Sequence, residues 1–142
     1  MTRVHSPTSS YEIALPDDIR ENYDESVASF WKDENPVLLQ ISTRRRTEGS
    51  QVGAEDRLRE RIQDSGGTWT DVHFLPSFFE DVAAAKTTDE EGTTWLHVYM
   101  TNSELAIYAT ISGPAQAKVE EADWALTALQ TIKPRWDDHR NN

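Results

Sequence analysis

The stretch Val82–Ser112 constrains the fold more than any other part of the sequence, because two turn sequences divide it into three runs of similar length. The first turn sequence is Asp89–Gly92 and the second is Asn102-Ser103. Asp, Asn and Ser side chains bond to their own backbone in turns, and Gly adopts backbone angles that other residues avoid. Three runs joined by such short turns predict an antiparallel meander of three strands.

The register of this meander predicts which side chains share a face of the sheet. Successive side chains of a strand point to opposite faces, and a two-residue turn at Asn102-Ser103 places Met100 opposite Leu105. One face is then an apolar core, formed by Leu96, Val98, Met100, Leu105, Ile107 and Ala109, with Ala83 and Ala85 beside them. The opposite face collects Ala84, Lys86, Trp95, His97, Tyr99, Ala106, Tyr108 and Thr110.

Shorter runs before the meander predict further strands. Tyr11–Leu15 alternates in polarity and stops at Pro16, which is typical of a short strand. Ser26–Lys32 and Val37–Thr43 are separated by four residues of turn character, and they therefore predict a hairpin. Trp69–Leu75 is either one more strand or an irregular segment.

The first helix is predicted over Val52–Ser65. Ala54, Leu58 and Ile62 recur there at every fourth position, as on one face of a helix. Gly66-Gly67 follows and is typical of a helix end, because Gly adopts the left-handed conformation without steric cost. The pattern indicates an amphipathic helix with a narrow apolar stripe.

The second helix is predicted over Ala115–Ile132, with Gly113-Pro114 at its start and Lys133-Pro134 at its end. At about 100° per residue its apolar side chains fall in one arc. The arc contains Val119, Ala122, Leu126, Leu129 and Ile132. Leu126 lies near the centre of this arc, and Trp124 lies on the opposite side of the helix.

The predicted elements follow the order β-β-β-α-(β)-β-β-β-α, which indicates the α+β class with a mainly antiparallel sheet. A chain of 142 residues has room for one domain, which we place at residues 11–135. Residues 1–10 are rich in Ser, Thr and Pro and predict a flexible tail. Residues 136–142 predict a polar tail at the other end.

Three segments carry a likeness to a known family. They are Tyr11–Pro16 followed by an acidic turn, the hairpin Trp95–Ile111, and Ala122–Ile132 followed by Lys133-Pro134. In the order of these segments the chain resembles the Mog/PsbP-like family. The resemblance implies an α/β/α sandwich with an antiparallel sheet, and a function in docking onto partner proteins.

Composition and charge exclude several classes of function. The chain has no cysteine, so it has no disulfide, thiolate nucleophile or cysteine-ligated metal. Its net charge of −11 opposes nonspecific binding to nucleic acids and to anionic membranes. Met1–Ser10 lacks the apolar run of a secretory signal, and the apolar stretch Leu105–Ile111 is far shorter than a membrane span. We therefore expect a cytoplasmic protein.

No sequence motif predicts catalysis, a metal site or a cofactor. The four histidines lack the spacings of zinc ligands. The nucleophile motif Gly-x-Ser-x-Gly and the glycine-rich phosphate loops are also absent. We therefore predict no catalytic residue, no metal ligand and no cofactor.

The predicted face with Trp95, His97, Tyr99 and Tyr108 allows two interpretations. Three aromatic rings and an imidazole on neighbouring strands could line a small-ligand pocket that contains a titratable group. Aromatic residues on strands are also packing residues, and this face could be a second buried layer under the first helix or under residues 69–79.

The basic cluster Arg44-Arg45-Arg46 is the second candidate site. Arg57, Arg59 and Arg61 follow it on the predicted first helix. These arginines either pair with the many carboxylates of the chain, or form a docking patch for an acidic protein surface or a phosphate.

These observations favour a noncatalytic module that binds another protein. The alternative is a small-ligand binding or hydrolytic protein that uses the aromatic pocket around His97. The candidate binding residues are Arg44, Arg45, Arg46, Trp95, His97, Tyr99, Tyr108 and Trp124.

Overall fold

The computed structural model describes residues 2–8, 11–24, 27–45, 53–63, 79, 81–102, 105–114 and 119–134. Within these ranges the chain forms nine strands and two helices, so the predicted α+β class is confirmed. The strands are β1 (Thr2–Thr8), β2 (Tyr11–Pro16), β3 (Ile19–Asp24), β4 (Val27–Lys32), β5 (Leu38–Arg45), β6 (Asp81–Thr88), β7 (Thr93–Thr101), β8 (Leu105–Pro114) and β9 (Lys133–Pro134). The helices are α1 (Ala54–Gln63) and α2 (Val119–Leu129).

The strands form two antiparallel sheets. The larger sheet has six strands in the order β3-β4-β5-β8-β7-β6, and the smaller sheet has the order β1-β2-β9. The predicted β4–β5 hairpin and the β6–β7–β8 meander are both confirmed. Strand β8 pairs with β5 as well as with β7, so the hairpin and the meander join into one sheet.

The two helices pack on opposite faces of the six-stranded sheet. Helix α1 buries Ala54, Leu58 and Ile62 against one face, where Ala85 and Tyr99 belong to the same apolar cluster. Helix α2 and the smaller sheet cover the other face and form the larger core with it. Alternate side chains of β7 and β8 therefore pack into two separate cores, one on each face of the sheet. With a helix on each face, the arrangement is α/β/α.

The turn between β7 and β8 lies one residue later in the sequence than predicted, between Asn102 and Leu105. Met100 lies opposite Ile107, and the turn is closed by a bond from the N–H of Asn102 to the carbonyl oxygen of Leu105, at 3.0 Å. The Asn102 side chain in turn accepts a hydrogen bond from the N–H of Leu105, at 2.8 Å. A shift of two residues changes the partners across the strands and leaves each side chain on its predicted face.

The predicted faces of β6 are wrong. Ala83 lies opposite Tyr99 and Ala85 opposite His97, so both alanines belong to the aromatic face. Ala84 lies opposite Val98 and belongs to the larger core.

The cause of this reversal is the length of the β6–β7 loop. The N–H of Asp89 donates to the carbonyl oxygen of Thr93, at 3.0 Å, which leaves the three residues Glu90–Gly92 in the loop. Gly92 has a φ of 87°, as expected in a three-residue hairpin loop that ends on a left-handed residue. The sequence analysis assumed a loop of four residues, which would shift β6 by one residue against β7. A shift of one residue in register exchanges the two faces of a strand.

The boundaries of α2 also differ from the prediction. Gly113 and Pro114 do not begin the helix, because they pair with β7 as the last residues of β8. The described part of the helix is Val119–Leu129 and ends three residues before the predicted Ile132, while residues 115–118 of the predicted start lie outside the described residues. Lys133–Pro134 is the short strand β9, which pairs with the start of β2.

Two strands besides β9 had no counterpart in the sequence analysis. Thr2–Thr8 forms β1, which pairs with β2, so this part of the predicted flexible tail is a strand. Ile19–Asp24 forms β3, whose five residues after Ile19 are exposed. Residues 66–67, 69–75 and 136–142 lie outside the described residues. Neither helix of the described chain is long and apolar enough to cross a membrane.

Candidate functional site

A cleft of about 510 Å³ lies on the aromatic face of the six-stranded sheet, beside the last turn of α1. Its volume is within the range of small-molecule sites, roughly 300–1,000 Å³. Its walls come from β4 to β8 and from one side chain of α1. The lining side chains used below are Gln40, Ser42, Arg61, Asp89, Trp95, His97 and Tyr108.

His97 lies at the cleft and is bonded through both ring nitrogens. Its Nε2 is 2.9 Å from the Thr87 hydroxyl oxygen, and its Nδ1 is 2.7 Å from the Tyr108 hydroxyl oxygen. The side chain is 6% exposed, and this burial lowers the pKa of His97. The imidazole is therefore held in its neutral form, in which one nitrogen donates and the other accepts.

Asp89 fixes the orientation of the Trp95 ring. Its Oδ2 accepts a hydrogen bond from the indole Nε1 of Trp95, at 3.1 Å. Its Oδ1 accepts bonds from the backbone N–H groups of Glu91 and Thr93, at 3.0 and 2.9 Å. The bond from Thr93, followed by the bond from Trp95, lowers the pKa of Asp89. The carboxylate is ionised at neutral pH and lines the cleft beside Trp95.

The rings along the cleft are nearly parallel. The ring centres of Trp95 and His97 are 6.3 Å apart with an angle of 21° between the ring planes. Those of His97 and Tyr108 are 6.1 Å apart at 25°. Tyr99 is tilted by 44° from Tyr108 and is 4% exposed, because it packs under α1. The interpretation as a buried layer therefore describes Tyr99, which packs under α1. The interpretation as a pocket describes Trp95, His97 and Tyr108, which line the cleft.

Arg61 is a cleft residue that the sequence analysis named with the basic cluster but did not include among the candidate binding residues. Its guanidinium carbon lies 4.5 Å from the centre of the Tyr108 ring, within the range of a cation–π contact. Burial raises the pKa of Tyr108, and the positive charge of Arg61 opposes this change. On a helical wheel Arg61 is about 60° from Leu58, at the border of the buried stripe of α1. From this position on the helix, the sequence alone indicated that the side chain of Arg61 could reach the sheet.

The basic cluster lies beside this cleft. Arg44 is exposed on β5, opposite Ala106, and lines a smaller cavity of about 200 Å³ together with Arg61 and Tyr108. The Arg45 backbone ends β5, and its side chain and Arg46 are outside the described residues. Among the described carboxylates, none forms an ion pair with Arg44.

Trp124 does not lie at the surface, contrary to the prediction. It is 8% exposed and belongs to the larger core, with its indole Nε1 at 3.5 Å from the side-chain oxygen of Asn35. The buried arc of α2 includes Ala125 and Ala128 and is rotated toward Trp124 from the predicted arc. Trp124 therefore contributes to packing and does not line the cleft.

The described residues contain no group of three histidine, aspartate or glutamate side chains arranged to hold a metal ion. No protein-family model matches the sequence, and no curated protein matches it. A crystal structure of a protein from Bacteroides thetaiotaomicron VPI-5482 has a similar fold, with a TM-score of 0.59 and 18% sequence identity. The match covers 88% of this chain and 45% of the Bacteroides protein, so this chain corresponds to less than half of that protein.

Proposed function

We propose that the protein binds a small, planar, mostly apolar molecule in the cleft at Trp95, His97 and Tyr108, and that it does not transform this molecule. The observation that carries the proposal is the row of three nearly parallel rings along one cleft. Flat aromatic walls favour a flat ligand, because rings gain energy by stacking beyond the burial of their area. Gln40 and Ser42 supply polar groups that could orient the ligand.

Binding without catalysis fits the bonding of the titratable groups. A general base needs a nitrogen or oxygen within hydrogen-bond reach of the substrate proton. Both nitrogens of His97 are already bonded to Thr87 and Tyr108, and both oxygens of Asp89 accept bonds from its own turn and from Trp95. These groups hold the walls of the cleft in place.

The test uses N-phenyl-1-naphthylamine, a neutral aromatic dye that becomes fluorescent in apolar surroundings. The wild-type protein should bind the dye saturably. Gln40→Trp should abolish binding, because the larger side chain fills the cleft from the middle of β5. Leu38→Trp is the matched control: Leu38 lies on the same strand and the same face, two residues away, and does not line the cleft.

Equal binding by the wild type and by Gln40→Trp, with both proteins folded by circular dichroism, would show that the dye binds elsewhere. Absence of saturable binding to the wild type would overturn the proposal. Loss of binding in Leu38→Trp as well would also contradict the cleft as the site.

Protein docking is the second candidate function. The observation that favours it is the exposed Arg44 at the end of β5, which no described carboxylate neutralises. An acidic surface would be attracted to this position and repelled by most of a chain with a net charge of −11. Arg44→Ala should slow association with such a partner and weaken its salt dependence, which stopped-flow mixing would measure. An unchanged association rate would place the docking surface elsewhere.

A further inference from the structure

Arg61 is the arginine of α1 that makes no ion pair with a described carboxylate. Arg57 lies 3.6 Å from Glu60, and Arg59 lies 3.7 Å from Glu55. Arg61 instead extends over the ring of Tyr108. In a chain with 25 acidic residues, a guanidinium group placed over an aromatic wall without an acidic partner is available to an anion from outside.

The position of Arg61 joins two cavities. Arg61 lines both the cleft of about 510 Å³ and the smaller cavity of about 200 Å³. Ser42 and Tyr108 also line both cavities. Arg44 adds a second exposed guanidinium group to the smaller cavity. No Asp or Glu is among the described residues that line this smaller cavity. Two guanidinium groups and no described carboxylate therefore line this part of the site.

The carboxylate of Asp89 contributes the opposite charge to the cleft. Its pKa is lowered by the bonds from Thr93 and Trp95, so it keeps its negative charge at neutral pH. It lies in the β6–β7 turn, whereas Arg61 belongs to α1 and borders the smaller cavity. A ligand with one anionic end would be oriented by these two charges, with that end directed toward Arg61.

On the basis of the proposed function, we infer that the ligand is an aromatic anion whose carboxylate, sulfonate or phosphate group is bound by Arg61. The planar part lies against Trp95, His97 and Tyr108. The guanidinium group matches the geometry of two oxygen atoms of such an anion, and charge-assisted bonds of this kind are stronger than neutral ones. Arg44 adds positive potential from the adjacent cavity.

The experiment compares two dyes that share their rings and differ in charge. N-phenyl-1-naphthylamine is neutral, and 8-anilinonaphthalene-1-sulfonate has the same two ring systems with one sulfonate group. The wild type should bind the sulfonate dye more tightly, by about tenfold or more, as expected for a hydrogen bond to a charged group. The difference in affinity between the sulfonate dye and the neutral dye should decrease as the salt concentration increases.

The decisive variant is Arg61→Gln, with Arg59→Gln as its matched control. Both variants remove one positive charge from the same helix, and Arg59 does not line either cavity. Arg61→Gln should lose the preference for the sulfonate dye, measured as the ratio of the dissociation constants of the two dyes. Arg59→Gln should bind both dyes as the wild type does, and Arg61→Lys should restore part of the preference.

The outcomes separate the two proposals. If the neutral dye binds in the cleft and the sulfonate dye binds no more tightly, the inference about the anion is wrong and the proposed function stands. If neither dye binds, the proposed function fails and the inference fails with it. If Arg59→Gln and Arg61→Gln lose equal affinity for the sulfonate dye, the effect comes from net charge and the inference is overturned.

Discussion

His97 couples the cleft to the pairing of its strands, because its two ring nitrogens contact residues of two neighbouring strands. Thr87 belongs to β6 and Tyr108 to β8, while His97 itself lies on β7 between them. Burial disfavours the charged imidazolium, so protonation of His97 opposes the folded state.

Replacing His97 by Gln should reduce the dependence of stability on pH. In the unfolded chain His97 takes up a proton as the pH falls through its ordinary pKa of about 6.5, whereas the folded protein resists this until lower pH. The unfolded state then binds more protons, so the free energy of unfolding of the wild type decreases as the pH falls below about 6.5. Gln keeps a donor and an acceptor for Thr87 and Tyr108 without titrating.

Urea unfolding at about pH 7.5 and about pH 5.5 checks this prediction for both proteins. The decrease in the free energy of unfolding should be smaller in His97→Gln than in the wild type. The other histidines of the chain contribute equally to both proteins, so they cancel in the comparison. An equal decrease would show that the pKa of His97 is not lowered by folding.

At the scale of elements, α2 contacts both the larger sheet and the smaller one, and it is buried over a wide arc. Leu129 is fully buried in it, whereas Leu126 is only partly buried at the border of the core. The spacing of apolar residues predicted a helix here correctly. It misplaced the centre of the buried face, because Trp124 and the small residues Ala125 and Ala128 were given less weight than Leu126.

Leu129→Ala should therefore destabilise the protein more than Leu126→Ala. Removal of a fully buried leucine side chain costs the transfer free energy of the lost atoms and leaves a cavity, together about 2–5 kcal/mol. The partly buried Leu126 already contacts water, so its truncation should cost less. Urea midpoints of the two variants provide the measurement, and a larger loss in Leu126→Ala would show that the helix is rotated from the position described.

Strand β3 shows why some elements leave little trace in a sequence. Apart from Ile19 its residues are exposed, and its sequence Arg20–Asp24 is mostly polar, so no alternation of polarity is visible. It lies at the edge of the six-stranded sheet. Charged residues on an edge strand hinder pairing with a second molecule. This explains why β3 is rich in polar residues, and the same composition prevented its recognition as a strand from the sequence. By contrast, Leu58 and its neighbours in α1 face a single core, and their spacing predicted the helix and its buried face correctly.

For the whole molecule, the aromatic part of the cleft was predictable and its basic part was not. Alternation along β7 and β8 already places Trp95, His97 and Tyr108 on one face. The contact between Arg61 and Tyr108 depends on how α1 lies across the sheet, which no local pattern encodes. How much of this face α1 covers likewise depended on the position of the helix, and a ten-residue helix reaches Tyr99 without filling the cleft. The second cover considered, residues 69–79, lies outside the described residues except for Phe79.

Occupation of the cleft should stabilise the whole fold, because five strands and α1 contribute to its walls. A ligand that binds only the folded state at about 100 times its dissociation constant adds about 2.7 kcal/mol to the free energy of unfolding. The thermal midpoint of the wild type and of Leu38→Trp should rise with the concentration of N-phenyl-1-naphthylamine. That of Gln40→Trp should not change, and a rise in this variant would locate the stabilising site outside the cleft.

The three-residue loop Glu90–Gly92 limits how the gene for this protein can change. If a gained or lost codon there shifted the register of β6 against β7 by one residue, β6 would turn over and the charged Lys86 would move to the face that α1 covers. An added residue leaves the side chains of β6 on their present faces only when the loop itself takes it up. Tolerated length variants at this loop should therefore keep the pairing of Asp89 with Thr93.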